Sequence, residues 1–393
     1  MSNELSGFRV LVSGAGVAGP ALACRLADAG AETTVVEIAP KLRESGFAVD
    51  FRGPTHLKVL AKLGILDELE AVQTHAGAMR TVDADGRTIF ELPAEFAGGD
   101  VEVRRRDLSA VLHRRSADRV RYLFGDSITA LRDGRDGVEV RFRGGGEGTY
   151  DAVVGADGIH STVRRLAMGP EDRFVKHLGY HIAGWDMPND VGAIPVAQQY
   201  NVPGRMASVA ADDRDPTLAG ALFVWSSGPL GVGWQDLAAQ KQAVTATFTG
   251  LGWHVPRLLD GLTAAPDLYF DAISRVSVPT LHSGRIALLG DAAWGVTLGG
   301  MGVGTGVVGA YVLAGELART GGDVPAAFAA YENRMRSYAG RWQKGASPGH
   351  FLAPASRTGL WLRNTMFRRA AVRRLLVSSS TALASAADLP DYP

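Results

Sequence analysis

Three glycines, Gly14, Gly16 and Gly19, stand in the spacing G-x-G-x-x-G within GAGVAGPALA. The spacing suits a phosphate-binding turn: one glycine makes the tight bend, one lets backbone approach a pyrophosphate, and one lets the next helix pack closely. Val17 and Ala18 belong to the same turn, and the N-terminus of the helix they open favours an anion. Glu37 lies 23 residues beyond Gly14, where an acid at the end of the following strand accepts hydrogen bonds from a ribose hydroxyl. The group reads as a dinucleotide site. Two further strand-end pairs extend it: Asp157-Gly158 in GADGIHSTVRR, and Gly290-Asp291-Ala292 in GRIALLGDAA. Brought to the carboxyl edge of one sheet, Asp291 is placed to hold a ribitol or ribose hydroxyl, and the glycine loop behind it, with Gly302, to wrap the far end of an extended cofactor. A nicotinamide dehydrogenase needs no such remote clamp, so the set points to FAD.

These residues need elements to hold them. Phe8 to Ser13 is a short apolar run suited to a buried parallel strand. A helix over Ala18 to Ala29, stopped by Gly30, and a β-branched strand at Thr33 to Val36 complete a βαβ unit that delivers Glu37. A helix is expected from Thr55 to Leu63 with Gly64 as its stop, a hairpin at Ala84-Asp85-Gly86, and a helix starting around Asp107. Val138, Val140 and Phe142 alternate as a half-buried strand, Tyr150 to Ala156 and Ile286 to Leu289 read as buried strands, and a helix runs from about Gly306 to Arg319. Between about 173 and 270 the strand-like runs carry Trp185, Tyr200, Phe223, Trp225 and Trp234, which marks an inserted β-rich substrate domain.

The expected architecture is therefore α/β. A discontinuous Rossmann-like FAD-binding domain comprises 1–75, 99–172 and 270–345. A substrate-binding β-sheet domain comprises 76–98 and 173–269, and 346–393 form a C-terminal helical tail.

Composition narrows the function. Lys+Arg and Asp+Glu both total 41 and cancel, which argues against nucleic acid or an anionic membrane as the main partner and for a small-molecule ligand. A single cysteine, Cys24, forbids an intramolecular disulfide and fits the cytoplasm. The N-terminus shows no secretory signal. Ala292 to Gly315 carries no charge, but its eight glycines read as a ligand loop rather than a membrane span. Residues 333 to 387 hold ten Lys/Arg and no Asp/Glu. The plain reading is a helical region docked on an acidic body with solvated arginines, and the alternative is steering of an anionic substrate.

The ordered set GAGVAGPALA, VRRRDL, GADGIHSTVRR and GRIALLGDAAW resembles the FAD-dependent group A aromatic monooxygenases, the para-hydroxybenzoate hydroxylase superfamily, and within it the tetracycline-inactivating and polyketide-tailoring branch. The resemblance runs from residue 1 to about 345. It implies that Gly14, Gly16, Gly19 and Glu37 bind the ADP half of FAD, that Arg105 contacts the cofactor, that Asp157, Gly158 and Arg164 lie by the FAD and NADPH pyrophosphates, and that Asp291 holds FAD near its ribitol. The implied chemistry is reduction of FAD by NADPH or NADH, addition of O2 to give a flavin hydroperoxide, and hydroxylation or Baeyer-Villiger oxidation of an aromatic or polyketide-like substrate, by a monomer or homodimer.

Two departures stand out. Trp294 occupies the position where relatives carry histidine, and GVTLGGMGVG lacks the family's proline and is one residue shorter. They motivate an alternative, a non-redox tailoring enzyme such as a cyclase that keeps FAD as scaffold. A flavin-dependent halogenase is disfavoured because the sequence has no W-x-W-x-I-P element, and a flavin-binding regulatory or carrier protein is a fourth reading. The substrate candidates are His181, Trp185, Tyr200, Trp225 and Trp234, with Trp294 beside the glycine loop. Each can stack on a planar ring, and for each the competing reading is ordinary core packing. The histidines show no metal-ligand spacing, and Cys24 reads as a small buried apolar residue.

Overall fold

The run after Phe8 folds as expected: Val10, Leu11 and Val12 are fully buried in β1 (Arg9–Ser13), and α1 (Ala18–Asp28) then leads to β2 (Glu32–Glu37). The computed structural model describes residues 4–42, 48–74, 77–94, 98–233, 235–298, 302–343, 347–369, 371–373 and 389–392. Trp234, Gly299 and Gly300 lie outside them. The chain continues through β3 (Ala48–Phe51), α2 (Gly53–Lys62), α3 (Leu66–Ala71), β4 (Met79–Val82), β5 (Thr88–Leu92), β6 (Val101–Arg104) and α4 (Arg105–Ser116). Next come β7 (Val120–Phe124), β8 (Ile128–Asp133), β9 (Val138–Phe142), β10 (Glu147–Tyr150), β11 (Ala152–Gly155), α5 (Thr162–Met168) and a 3-10 turn at Glu171–Arg173. A long β12 (Val175–Pro188) opens the second half, with β13 (Ala197–Val202), β14 (Arg205–Ala211), β15 (Leu218–Ser226), α6 (Leu237–Phe248), α7 (Val255–Ala264) and β16 (Tyr269–Val276). The remainder is β17 (His282–Ser283), β18 (Ile286–Leu288), α8 (Asp291–Trp294), α9 (Gly302–Arg319), α10 (Val324–Gln343), α11 (Pro348–Leu352) and α12 (Arg357–Phe367).

Two sheets position the site. The first has the order β17-β18-β11-β1-β2-β7. From β18 to β7 it is parallel, with Val12 paired to Val154 on one side and to Val35 on the other. β1 sends the chain to β2 on one flank while β11 and β18 return on the other, so the strand order reverses beside β1. In open α/β sheets ligands bind in the crevice at the carboxyl ends of such strands.

The second sheet has the order β16-β12-β15-β14-β13-β4-β5. Side chains alternate between its faces. Ala183, Trp185, Phe223 and Trp225 pack outward against Val244 and Phe248 of α6 and Val255, Leu258 and Leu262 of α7. Tyr180, Ile182, Met206, Val224 and Ile273 lie on the other, inner face, with Leu298 from the segment after α8 and Leu352 and Ala353 from the C-terminal region. Fully burying an aromatic such as Phe223 or Phe248 contributes about 1.5–3 kcal/mol, so the outer face is a true core.

Several boundaries differ from the sequence expectations. Strand β16 pairs with β12 from Tyr269 through Val276, so a division at residue 270 cuts a strand of the substrate sheet. The region from 173 to 269 contains α6 and α7 as well as strands, because its sheet needs helices to cover one face. The helix expected around Asp107 begins at Arg105, and α9 begins at Gly302. The C-terminal region docks on the body as expected, with Arg363 as a buried exception to its solvated arginines. Arg363 is buried, donating to the Phe351 and Leu352 carbonyls and to Asn201 of β13, and Tyr392 packs on Gly315 with its hydroxyl donating to Glu316. Arg334 also reaches Glu316.

Candidate functional site

The glycine turn leaves β1 at its carboxyl end, and the three glycines have separate tasks. Gly14 has φ +104°, and a Cβ there would lie 2.5 Å from the Ala156 carbonyl oxygen; a Cβ on Gly19 would lie 2.0 Å from that of Gly14. Both are demanded by backbone packing. Gly16 has no such neighbour, and its bare side faces the Arg105 guanidinium, 3.7 Å from where a Cβ would stand. Val17 caps α1 without a side-chain hydrogen bond, so the Ala18 and Gly19 amides have no side-chain acceptor at the cap, while Pro20 carries no N–H and the Ala21 N–H donates to the Val17 carbonyl. This is the terminus that a pyrophosphate satisfies.

Glu37 ends β2 and grips the turn from below, its two oxygens accepting the Ala15 N–H at 2.7 Å and the Ala39 N–H at 2.9 Å. Beyond it a cavity of about 390 Å³ opens between Pro40, Leu42, Ala110 and Phe124, with Lys41 and Arg106 on its walls. From the other flank, Ser109 of α4 donates to the Gly16 carbonyl. Gly290, at φ +63°, lets β18 end against Ala18: a Cβ there would stand 3.2 Å from Ala18 Cβ. The N-terminal ends of α1, α8 and α9 therefore meet at one place.

Asp291 begins α8. Its carboxylate makes no hydrogen bond among the described residues, and Gly302, the first residue of α9, comes so close that a Cβ would lie 3.0 Å from Oδ1. Burial pushes the carboxyl above the usual carboxylate range, opposed by the Arg105 guanidinium and reinforced by Asp271. Arg105 likewise has no hydrogen-bond partner among the described residues. An acid and an arginine without partners, beside an uncapped helix terminus, are a polar cradle that fits the hydroxyls and phosphates of a dinucleotide.

Asp157 and Arg164 are arranged otherwise. Asp157 accepts hydrogen bonds from the Ser161 and Ser13 hydroxyls and from the Thr162 and Val163 amides, and so anchors the start of α5. Gly158 next to it has φ +81° with nothing within 4 Å of its missing Cβ. Arg164, expected near pyrophosphates, has no exposed surface: it donates to the Ala292 and Ile159 carbonyls. It ties the two strand-end loops together from inside, because its helix turns that face toward α8. Ala292 is accordingly a buried acceptor of this tie.

The substrate candidates on the second sheet lie on the face covered by α6 and α7. His181, Trp185 and Trp225 share the outer parity of the second sheet, and Tyr200 packs with the same cluster. His181 stacks on Trp225, accepts or donates a hydrogen bond with Ser227 at 2.7 Å, and is pushed down to about 4 mainly by burial. Trp294 is also core: its indole N–H donates to Thr305, and its ring fills the space left by the missing Cβ of Gly309. The inner face presents a different row, running in register through Thr81, Gln199, Ser208, Leu222, Gly184 and Tyr269. Thr81, Gln199 and Ser208 are buried, and their side chains make no hydrogen bond among the described residues. Sequence reading missed this row because Thr81, Gln199, Ser208 and Gly184 are small or polar and Leu222 reads as ordinary core. Cys24 is buried with its thiol against the Leu112 carbonyl, and among the described residues no cluster of three or more His, Cys, Asp or Glu stands ready for a metal. No helix among them is long and apolar enough to cross a membrane.

Comparison with known proteins agrees with this geometry. A family profile described as FAD binding domain matches residues 8–185. A flavin-dependent monooxygenase from an unknown prokaryotic organism is 36% identical over 336 residues, spanning 84% of this chain and 86% of that protein. Tetracycline destructase Tet(51) superposes with a TM-score of 0.86 at 28% identity, over 98% of this chain and 100% of its own. Tetracycline destructase Tet(55) superposes with a TM-score of 0.81 at 32% identity, over 100% of both chains.

Proposed function

The chain belongs to the FAD-dependent group A aromatic monooxygenases, and from that membership we propose that it uses NADPH or NADH and O2 to oxygenate an aromatic or polyketide-like small molecule. The observation that carries the reading is the unpartnered pair Asp291 and Arg105 beside the uncapped start of α1. FAD, when bound, supplies the electron transfer and oxygen activation. The chain's own residues bind and orient. In this reading Gly14 and Gly19 shape the turn and Gly16 admits the pyrophosphate, Glu37 would accept a ribose hydroxyl, Asp291 would take the ribitol end, and Arg105 would offset phosphate charge. The cavity between Leu42 and Phe124 seats the adenine.

The substrate then lies against the inner face of the second sheet. Thr81, Gln199 and Ser208 offer hydrogen bonds at one end of the row, and Leu222 with Tyr269 offers an apolar floor at the other. Inner-face apolar packing excludes water, which strengthens every polar contact in the site. A planar molecule with clustered oxygens at one edge suits that division.

The test is an anaerobic titration of the FAD-loaded protein with NADPH or NADH, with and without candidate aromatics, followed by admission of air. Bleaching of the flavin spectrum, recovery in air and an oxygenated product are expected. The altered segment after Asp291, with Trp294 and no proline, favours the second reading of a non-redox enzyme that keeps FAD as scaffold. Bound flavin that never bleaches, together with turnover lacking both reductant and oxygen, would establish that alternative.

A further inference from the structure

His160 stands on the loop between β11 and α5, and its ring lies between two carboxylates from different parts of the chain. Nδ1 is 2.9 Å from Glu171 Oε1 on the 3-10 turn, and Nε2 is 3.3 Å from Asp271 Oδ1 on β16. Ionised carboxylates only accept hydrogen bonds, so both ring nitrogens must donate, and the ring is an imidazolium. The two hydrogen bonds, Asp271 first, outweigh burial and push the group up to about 10.

The His160 side chain is 56% exposed, and its two partners come from separate elements. Asp271 shares the inner-face parity of Tyr269 and Ile273 and is the register partner of Ile182, so it lies on the side of the sheet assigned to substrate. Behind Glu171 stands Arg164, 3.9 Å away, and Arg164 donates to Ala292 in α8 at 2.8 Å. A continuous series of charged contacts thus runs from β16 through His160, Glu171 and Arg164 to the helix that begins with Asp291. Arg165 is the remaining cation acting on Glu171. Asp271 and Asp291 repel one another. A cation held on Asp271 opposes that repulsion across the seam.

We propose that the His160 imidazolium is a positioning residue that latches the edge strand of the substrate sheet to the loop carrying Asp291, and so sets the gap between substrate face and cofactor. The proposal rests on the pocket assignment above, and its test needs FAD binding but no turnover. The ring is followed by NMR of protein labelled at histidine Cε1, its signal identified by loss in His160→Gln. It stays protonated beyond pH 8.5, and Asp271→Asn lowers its midpoint by at least one unit. A midpoint near 6.5 would overturn the latch. The visible circular dichroism of bound FAD reports the gap: His160→Gln alters the flavin bands, His160→Arg restores them, and FAD affinity stays within twofold in both. Unaltered bands in His160→Gln with an intact fold overturn the positioning role. A protein that shows both signatures yet never oxidises NADPH or NADH would refute the monooxygenase reading and leave the latch standing.

Discussion

Asp157 with Arg164, and Asp291 with Arg105, are two acid–arginine sets at the ends of neighbouring parallel strands, and the protein uses them in opposite ways. Asp157 accepts four hydrogen bonds and Arg164 donates to two carbonyls, all within the protein. Asp291 and Arg105 make none among the described residues. A buried polar group without a partner costs about 1–3 kcal/mol, and a charged one more. Such a cost persists in a folded protein where a ligand supplies the missing bonds. The first set is an anchor and the second, in the reading proposed above, a receiver, although both read alike as an acid beside a glycine at a strand end.

The comparison is broken or sharpened most strongly at the arginines. Arg164→Met strips donors from the Ala292 and Ile159 carbonyls and removes the cation beside Glu171, so urea unfolding of the FAD-free protein should register a loss of about 3–5 kcal/mol. Arg105→Met should alter that stability by no more than about 0.5 kcal/mol while weakening FAD by roughly 30- to 100-fold, as loss of a charged hydrogen bond implies. Equal destabilisation by both would erase the distinction.

The carboxylates give the next largest contrast. Asp157→Asn should lower FAD-free stability by about 1–2 kcal/mol, since the amide keeps one of the two accepting oxygens and turns an NH2 toward the donors of the other. Asp291→Asn should leave stability equal or raised and weaken FAD by about 10-fold or more, read by fluorescence titration. A stability loss in the second variant would mean that Asp291 has a structural partner after all.

Gly16→Ala tests the same idea in the backbone. Its Cβ would meet nothing closer than the Arg105 guanidinium at 3.7 Å, so stability should hold within about 0.5 kcal/mol while FAD affinity falls about 10-fold from obstruction of the pyrophosphate. Gly19→Ala, driven into the Gly14 carbonyl, should fail to accumulate folded protein.

The smallest effect is one of pH. Burial raises the Asp291 carboxyl above its unfolded value. The folded state then binds the proton more tightly, so this group adds stability as pH falls and withdraws it as pH rises through the folded pKa. Unfolding midpoints from pH 7 to pH 5 should therefore improve more in wild type than in Asp291→Asn. Taking the difference removes His56, a buried ring held down to about 4 by desolvation that acts in the reverse sense in both proteins. Parallel curves would place the Asp291 carboxyl at an ordinary pKa.

Much of the first domain was legible because its signals are local. Apolar runs of four to six residues, Gly14 and Gly30 at positive φ, and Glu37 at the end of a β-branched strand each depend on neighbours close in the chain. The aromatic residues misled for the opposite reason. Trp185 and Trp225 sit on strands as expected, but alternation states only that a strand has two faces. One face was made core by α6 and α7, and the other was packed by Leu298, Leu352 and Ala353 from late in the chain. Trp294 looked like a ligand contact until Gly309, fifteen residues on, supplied the space that makes it core.

The sequence by itself determined the parallel strands, the phosphate-binding turn and the positions of the acids, since short-range sterics and hydrophobic periodicity act within a few residues. Only the tertiary structure decided which charged groups are already partnered and what covers each face of the second sheet. Those outcomes turn on contacts such as Arg164 to Ala292 and His160 to Asp271, more than 100 residues apart in the chain, which no local pattern encodes.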